Sequence, residues 1–255
     1  MTTGITATRR GAVLAIAIDR PQKRNALTAA MYGAMAEALA AAEADDDVRV
    51  VLFHGSREVF TAGNDIEDFI DRPPSGENAP VFRFLMAVAR ATRPMVAAVN
   101  GPAVGLGTTL LLHCDLVYAA QDARFAMPFT QLGLVPEFGS SYLLPLVAGY
   151  QRAAELLLLG EPFDAERARA AGFVTAVLPP DQVLEAAWSA AEKLARLPKE
   201  AVRTTRALLK AGHREVVERT LLDEGGHFRE LLKKPAAREA LSAFMEKRKP
   251  DFSGK

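Results

Sequence analysis

Only one cysteine, Cys114, occurs in the chain, inside the apolar run LLLHCDLVYAA. A disulfide within the chain is therefore excluded, which fits a reducing compartment. Apolar surroundings raise a thiol pKa, so Cys114 reads as a buried, inert thiol rather than a nucleophile. The four histidines, His54, His113, His213 and His227, show no metal-ligand spacing. Neither sign of charge is in excess: Lys plus Arg and Asp plus Glu both number 31, so the formal net charge is zero. Binders of nucleic acid or of a membrane surface usually carry a basic surplus, and neither partner is expected. No run reaches the roughly 20 apolar residues of a membrane span. The N-terminal stretch MTTGITATRRGAVLAIAIDRP lacks a signal-peptide layout, because its apolar run is short and ends in Asp19-Arg20. A cytoplasmic location is expected. The sequence also lacks G-x-G-x-x-G, G-x-x-x-x-G-K-[ST] and G-x-S-x-G, which removes the usual signatures of dinucleotide, P-loop and serine-hydrolase sites. Ser140-Ser141 has no neighbouring histidine to serve as its base.

What is present is a chain of 255 residues, 49% hydrophobic, ample for one large domain or one domain with an appendage. Short strands are predicted at 5–9 and 12–18, around Gly11. Thr28 then caps an Ala-rich helix to about Ala44. VRVVLFHG (48–55), PMVAAVNG (94–101) and LVYAAQ (116–121) read as buried strands, with a helix at about 81–91 between the first two. A helix is also expected at 65–71, followed by a Pro/Gly/Ser break at 72–80. Repeated strand-turn-helix units indicate an α/β domain with mainly parallel pairing. Beyond about residue 138 the pattern turns helical, at 139–148, 150–159, 164–171 and 181–196, with one strand at 173–178. Leu197-Pro198 is the expected boundary between a core, 1–197, and a helical region, 198–255. The helices predicted there, 199–211, 214–233 and 236–247, carry apolar stripes that must bury against the main domain or another subunit.

The run Phe125 to Tyr142, FAMPFTQLGLVPEFGSSY, holds one acidic residue, Glu137, among Phe129, Leu132, Leu134, Val135 and Phe138. Desolvation raises a carboxyl pKa, which suits a general base near neutrality. The same pattern also fits a glutamate that caps the following turn and faces water. Upstream lie FTAGNDI (60–66) and NGPAVGLGTT (100–109), where small residues at strand-to-helix turns leave backbone N–H groups uncovered. Two such sources of N–H are able to hold a developing oxyanion together, or they are two tight turns without a ligand.

Taken together, RPQKRNALT (20–28), FTAGNDI (60–66), AAVNGPAVGLG (97–107), HCDLVYA (113–119), LLLLGEPFDAERARAAGFVTAVLP (156–179) and AFMEKRKPDF (243–252) resemble the crotonase (enoyl-CoA hydratase/isomerase) superfamily, in order and over nearly the whole chain. The resemblance implies a spiral of ββα units with a C-terminal helical trimerisation region. It implies trimers, often paired into hexamers, and an acyl-coenzyme A substrate with no further cofactor and no metal. It assigns the oxyanion hole to the backbone N–H groups of Asn64 and Leu106. The two glutamates of the hydratase branch fall on Thr109 and Phe129, neither of which is a carboxylate base. Glu137 instead matches the catalytic glutamate of peroxisomal-type Δ3,Δ2-enoyl-CoA isomerases. The implied reaction moves a 3-enoyl double bond to the conjugated 2-trans position, with Glu137 as base and then acid. Lys23, Arg24, Ala26, Ala62, Gly63, Asp65 and Ile66 are expected along the coenzyme A path. Phe244 and Lys247 are expected to close the site from a neighbouring subunit. Phe69, Phe129 and Leu134 are expected to form the acyl pocket.

Three alternatives stand beside that reading. One is a 1,2-epoxyphenylacetyl-CoA isomerase-like enzyme with an acid at the same position, although the resemblance to that branch implies Asp followed by Gly-Gly there. Another is an enoyl-CoA hydratase or dehalogenase-like member. The third is a non-catalytic binding protein on the same fold, which would leave Glu137 unexplained.

Overall fold

The computed structural model of the chain describes residues 4–72 and 76–253. Residues 73–75 of the expected 72–80 break lie outside the described part. The strands are β1 (Ile5–Arg10), β2 (Val13–Ile18), β3 (Val50–His54), β4 (Met95–Val99), β5 (Pro102–Val104), β6 (Leu116–Ala120), β7 (Arg124–Ala126), β8 (Phe163–Asp164) and β9 (Ala176–Leu178). Six of them form one sheet in the order β1-β2-β3-β4-β6-β9. Its first pair is an antiparallel hairpin and every other pair is parallel. Buried on both faces, a parallel strand reads as a continuous apolar run, and β3 and β4 (VVLFH and MVAAV) do so.

The helices are α1 (Ala29–Ala44), α2 (Ile66–Asp71), α3 (Pro80–Arg90), α4 (Leu106–Thr109), α5 (Ser140–Ala148), α6 (Tyr150–Ala154), α7 (Ala165–Ala170), α8 (Val183–Arg196), α9 (Lys199–Ala211), α10 (Arg214–Leu232) and α11 (Pro235–Met245). The Thr28 hydroxyl accepts the Met31 N–H and caps α1, as its position before an Ala-rich run predicts. Three features differ from the expected pattern. A small second sheet, β5-β7-β8, joins the short extended piece expected at 125–127 to residues of β5 and β8 that read as turn and helix entry. The helix expected at 150–159 changes after Ala154 into a single π turn over Glu155–Leu159. The strand expected at 173–178 shortens to its last three residues, because Val117 and Thr175 are already joined by hydrogen bonds ahead of the pairing of β6 with β9.

The second sheet decides where the active groups meet. Thr61 pairs with Ala103, and the segment after β3 is drawn against β5. The approach is close: a Cβ at Gly107 would lie 2.5 Å from the Thr61 methyl carbon, so only glycine fits there. Asn25 fixes the same segment from the other side. Fully buried, it donates to the Val59 and Phe60 carbonyls and accepts the Arg20 N–H at 2.7 Å.

The C-terminal helices pack on this frame. Val217 and Leu221 of α10 and Ala237 of α11 join the main core cluster. From α9, Arg206 reaches Asp115 at 2.7 Å and donates to the Ala91 carbonyl. The same Asp115 oxygen accepts the Met95 N–H at the start of β4. Removing one partner of a buried pair strands the other charge. Arg206→Met is expected to lower unfolding free energy by about 2–3 kcal/mol, toward the low end for such pairs because Asp115 keeps some contact with water. Urea denaturation followed by circular dichroism measures it, and an unchanged midpoint would mean the pair contributes nothing.

Candidate active site

The site is built where three chain segments converge. Residues 61–65 follow β3, residues 104–109 lead from β5 into α4, and residues 134–141 lead into the first turn of α5. Gly63 has φ +88°, a backbone shape open to glycine, and a Cβ there would touch the Val104 carbonyl oxygen at 3.0 Å. Its carbonyl accepts the Leu27 N–H, while Asp65 N–H donates to the Leu27 carbonyl. Asn64 sits between these two bonds, and its own N–H finds no acceptor among the described residues. Leu106 is the first residue of α4, a position whose N–H has no partner within a helix, and it has none elsewhere among the described residues either. Side-chain atoms hold the arrangement: the buried Tyr32 hydroxyl donates to the Asn64 side-chain carbonyl. Burial, and secondarily the charge of Glu137, keeps that phenol protonated.

Asn64 and Leu106 line a cleft of about 370 Å³, together with Ala62, Gly63, Ile66, Phe129 and Leu134. A smaller cavity of about 60 Å³ holds Glu137 beside Phe138, Val81, Phe82, Leu85 and Leu221. Both spaces share Asn64, Phe69 and Phe228, so they adjoin at Asn64, while Leu106 lines the larger cleft. A larger cavity of about 600 Å³, between α1, α2 and α3, contains neither Glu137 nor Leu106. Volume alone does not mark the site.

Burial pushes the Glu137 carboxyl up to about 8. The Thr109 hydroxyl, donating at 2.9 Å, opposes this by stabilising the charged form, and the nearby Glu224 adds to the rise. The turn that presents Glu137 is itself strained. Phe138 has φ +63°, rare for a bulky residue, and Gly139 has φ +70°. Phe138 is held there by stacking on His113 at 4.2 Å and by the His113 Nε2–H, which donates to its carbonyl at 2.7 Å. Burial drives the His113 pKa down to about 3, so the ring stays neutral and that nitrogen carries the proton. Ser140 closes the turn, donating its N–H and hydroxyl to the Glu137 carbonyl.

The sequence-expected residues separate into two groups. Glu137, Asn64, Leu106, Ala62, Gly63, Ile66, Phe69, Phe129, Leu134 and Phe244 line the joined cleft and cavity. Phe244 reaches the cleft of its own chain, beside Arg248 and Pro250, although it was expected from a neighbour. The others line neither space. Asp65 caps α2 through the Asp68 N–H and pairs with Arg20 at 2.6 Å. Lys23 is exposed and pairs with Glu67 at 3.0 Å. Arg24 is exposed, and its carbonyl accepts the Ala62 N–H. The Ala26 carbonyl accepts from the Arg20 side chain at 2.9 Å. Lys247 is exposed and turns the chain after α11 with φ +55°. Four contributors were not read from sequence: Tyr32, His113, Glu224 and Phe228. Only His113 carried a signal, as a polar residue inside an apolar run; Glu224 is one more charge on a charged helix, and the other two look like ordinary core.

The chain matches the enoyl-CoA hydratase/isomerase family over residues 8–255. The chain belongs to this family. It is 35% identical to the 1,2-epoxyphenylacetyl-CoA isomerase of Escherichia coli K12, over 95% of both chains. To human enoyl-CoA delta isomerase 2 it is 36% identical over 83% of this chain, which covers 55% of that longer protein. Among solved structures, OdaA of Pseudomonas aeruginosa is 50% identical with a TM-score of 0.93, covering 96% of this chain and 99% of the other. An enoyl-CoA hydratase/isomerase from Pseudoalteromonas atlantica T6c is 42% identical, also with a TM-score of 0.93, over 98% and 99% of the two chains. The α/β architecture is therefore the crotonase fold that the sequence motifs implied, with its helical C-terminal region. Among the described residues no helix is long and apolar enough to cross a membrane.

The buried acid has a consequence for stability. Glu137 titrates near its ordinary value of 4.5 in the unfolded chain and at about 8 in the native one. Between these values the native state holds a proton that the unfolded state has released, so stability is full below about pH 4.5 and falls as pH rises through about 8. Glu137→Gln removes that loss. Melting temperatures of the variant are expected to gain on the wild type steadily from pH 5 to pH 8.5. A constant difference across that range would show that Glu137 is not protonated in the folded protein.

Proposed function

We propose that this member of the family is a Δ3,Δ2-enoyl-CoA isomerase. The observation that carries the reading is that Glu137 is the one carboxyl group lining the cavity among the described residues. By the family resemblance, the two hydratase acids would fall on its neighbour Thr109 and on Phe129 in the cleft. Hydration needs an activated water as well as a proton donor; moving a double bond needs only one group that takes a proton and gives it back. In this reading the Asn64 and Leu106 N–H groups hold the thioester oxygen. Glu137 takes a proton from C2 of a 3-enoyl thioester, the charge moves to that oxygen as an enolate, and protonated Glu137 delivers the proton to C4. The product is the 2-trans-enoyl thioester. A carboxyl titrating near neutrality serves both halves of the exchange. The chemistry is proton transfer alone and requires neither metal nor redox cofactor. Coenzyme A is read as the carrier of the substrate, entering over Ala62, Gly63 and Ile66.

A second reading has its own support. The Escherichia coli 1,2-epoxyphenylacetyl-CoA isomerase aligns with this chain over nearly its full length. An enzyme of that kind would place an acid opposite the same N–H pair and act on a cyclic acyl group.

The test is a paired assay of purified protein with 3-enoyl-CoA and with crotonyl-CoA, both followed by absorbance of the conjugated thioester. A rise with the first and no loss with the second is expected. Loss of the crotonyl-CoA signal would mean that water is activated without the two glutamates, and the isomerase assignment would fail. Glu137→Gln is expected to reduce kcat by about 10³-fold, within the usual range for a general acid-base group, while acyl-CoA binding stays close to wild type. We also read 198–255 as an oligomerisation region, because Leu208 and Leu209 of α9 stay 72% and 74% exposed in the single chain. Leu208→Asp with Leu209→Asp is expected to shift the protein from trimer or hexamer toward monomer on sizing; an unchanged elution volume would remove α9 from the interface.

A further inference from the structure

We infer that Glu224 is a positioning residue for Glu137, its carboxylate clamping the strained turn at residues 138–141 from across the fold. This rests on the reading of Glu137 as the proton shuttle. Glu224 lies near the middle of α10, with 7% of its surface exposed. One carboxylate oxygen accepts the Gly139 N–H at 2.6 Å. The other accepts the Ser141 N–H at 2.9 Å and the Ser141 hydroxyl. Three donors thus converge on a single buried carboxylate. No neutral side chain replaces it: a glutamine offers one acceptor oxygen and turns its NH₂ toward an N–H donor. The bonded N–H groups belong to the N-cap residue and the first turn of α5, where negative charge is favoured.

The clamp matters because of what it holds. Phe138 has a positive φ, and a bulky residue persists in that shape only when its surroundings over-determine it; Gly139 follows with a positive φ that glycine takes freely. His113 fixes the Phe138 carbonyl, Ser140 fixes the Glu137 carbonyl, and Glu224 fixes the N–H groups that follow. Together they set the direction from which Glu137 enters the cavity. Glu224 also acts through space. A second negative charge near Glu137 favours its protonated form, which is the form that must persist between C2 and C4.

The charged and titratable groups around the pair are few. Tyr32 faces Glu137 from α1 and stays protonated. Arg229 of α10 lines the same cavity. Burial, and last the charge of Asp223 on the same helix, raises the Glu224 pKa, while the Ser141 and Gly139 donors favour its charged form. His113 stays neutral behind Phe138. Arg90 of α3 is taken up by Glu218 at 2.8 Å.

Two measurements on the full-length protein test the clamp. The first is the pH profile of kcat and KM with 3-enoyl-CoA for wild type, Glu224→Gln and Ser141→Ala. The second is a ¹³C-carboxyl titration of Glu137 in the free protein, assigned by its loss in Glu137→Gln, which needs no turnover. Glu224→Gln is expected to lower kcat by about 10²-fold, the scale of a small misplacement of a reacting group, with KM within about threefold. Its Glu137 titration is expected to move to lower pH. Ser141→Ala keeps the charge and removes one donor, so a smaller fall in kcat and little movement of the titration are expected. A purely structural glutamate would lower the melting temperature and leave the Glu137 titration in place. That result, or wild-type kcat in Glu224→Gln, overturns the inference. Should Glu224→Gln fail to fold, wild-type kcat in Ser141→Ala overturns it instead. Should the wild type not turn over 3-enoyl-CoA, the titration alone decides: a shift in Glu224→Gln upholds the clamp while the isomerase reading falls, and no shift removes both.

Discussion

A carboxyl group withdrawn from water governs this structure. Leaving water favours the neutral acid and raises its affinity for a proton, but the group must still be able to release that proton. The fold meets both demands around Glu137. Apolar side chains from α3 and α10 supply the desolvation, and the Thr109 hydroxyl supplies one hydrogen bond to the charged form. Glu224 pushes the other way. The balance leaves a group near neutrality, which either a base or an acid requires.

That balance depends on backbone geometry that would not form alone. Phe138 in a left-handed conformation is held by stacking on His113 and by a hydrogen bond from the same ring. The N–H pair depends on a different contact, the approach of residues 61–64 to residues 103–107. Gly107 permits that approach, and Asn25 pins its outer edge. Each half of the site is thus over-determined from a part of the chain distant in sequence. This is the expected pattern where strain is stored for function.

The helices after residue 197 take part in the site as well as in packing. α10 brings Leu221 and Phe228 to the cavity, and Phe228 meets Phe69 edge-on at 6.0 Å. α11 and the segment after it bring Leu241, Phe244 and Arg248 to the cleft. The wall of the cavity is therefore shared between the α2 region and α10, and changes in α10 are able to reshape it without touching the N–H pair.

Much of this was legible in the sequence. Parallel strands buried on both faces announce themselves as unbroken apolar runs, and glycines at strand-to-helix turns mark backbone that must approach closely, as at Gly63 and Gly107. A lone acid among Phe and Leu at 129–138 pointed to Glu137, and the motifs carried the family. Other parts were not legible. β5 and β8 are too short to show a period, and they exist because β7 pairs with both. The pairing of Lys23 with Glu67 and of Asp65 with Arg20, each from a distant segment, leaves no local pattern. Glu224 reads as one polar position on a charged helix; only the folded chain places it against Gly139 and Ser141, 83 to 85 residues earlier. Local pattern fixes which segments are buried and which glycines are needed. Which buried polar group meets which partner is set by long-range packing, because hydrogen bonds between distant segments leave no periodic trace in the chain.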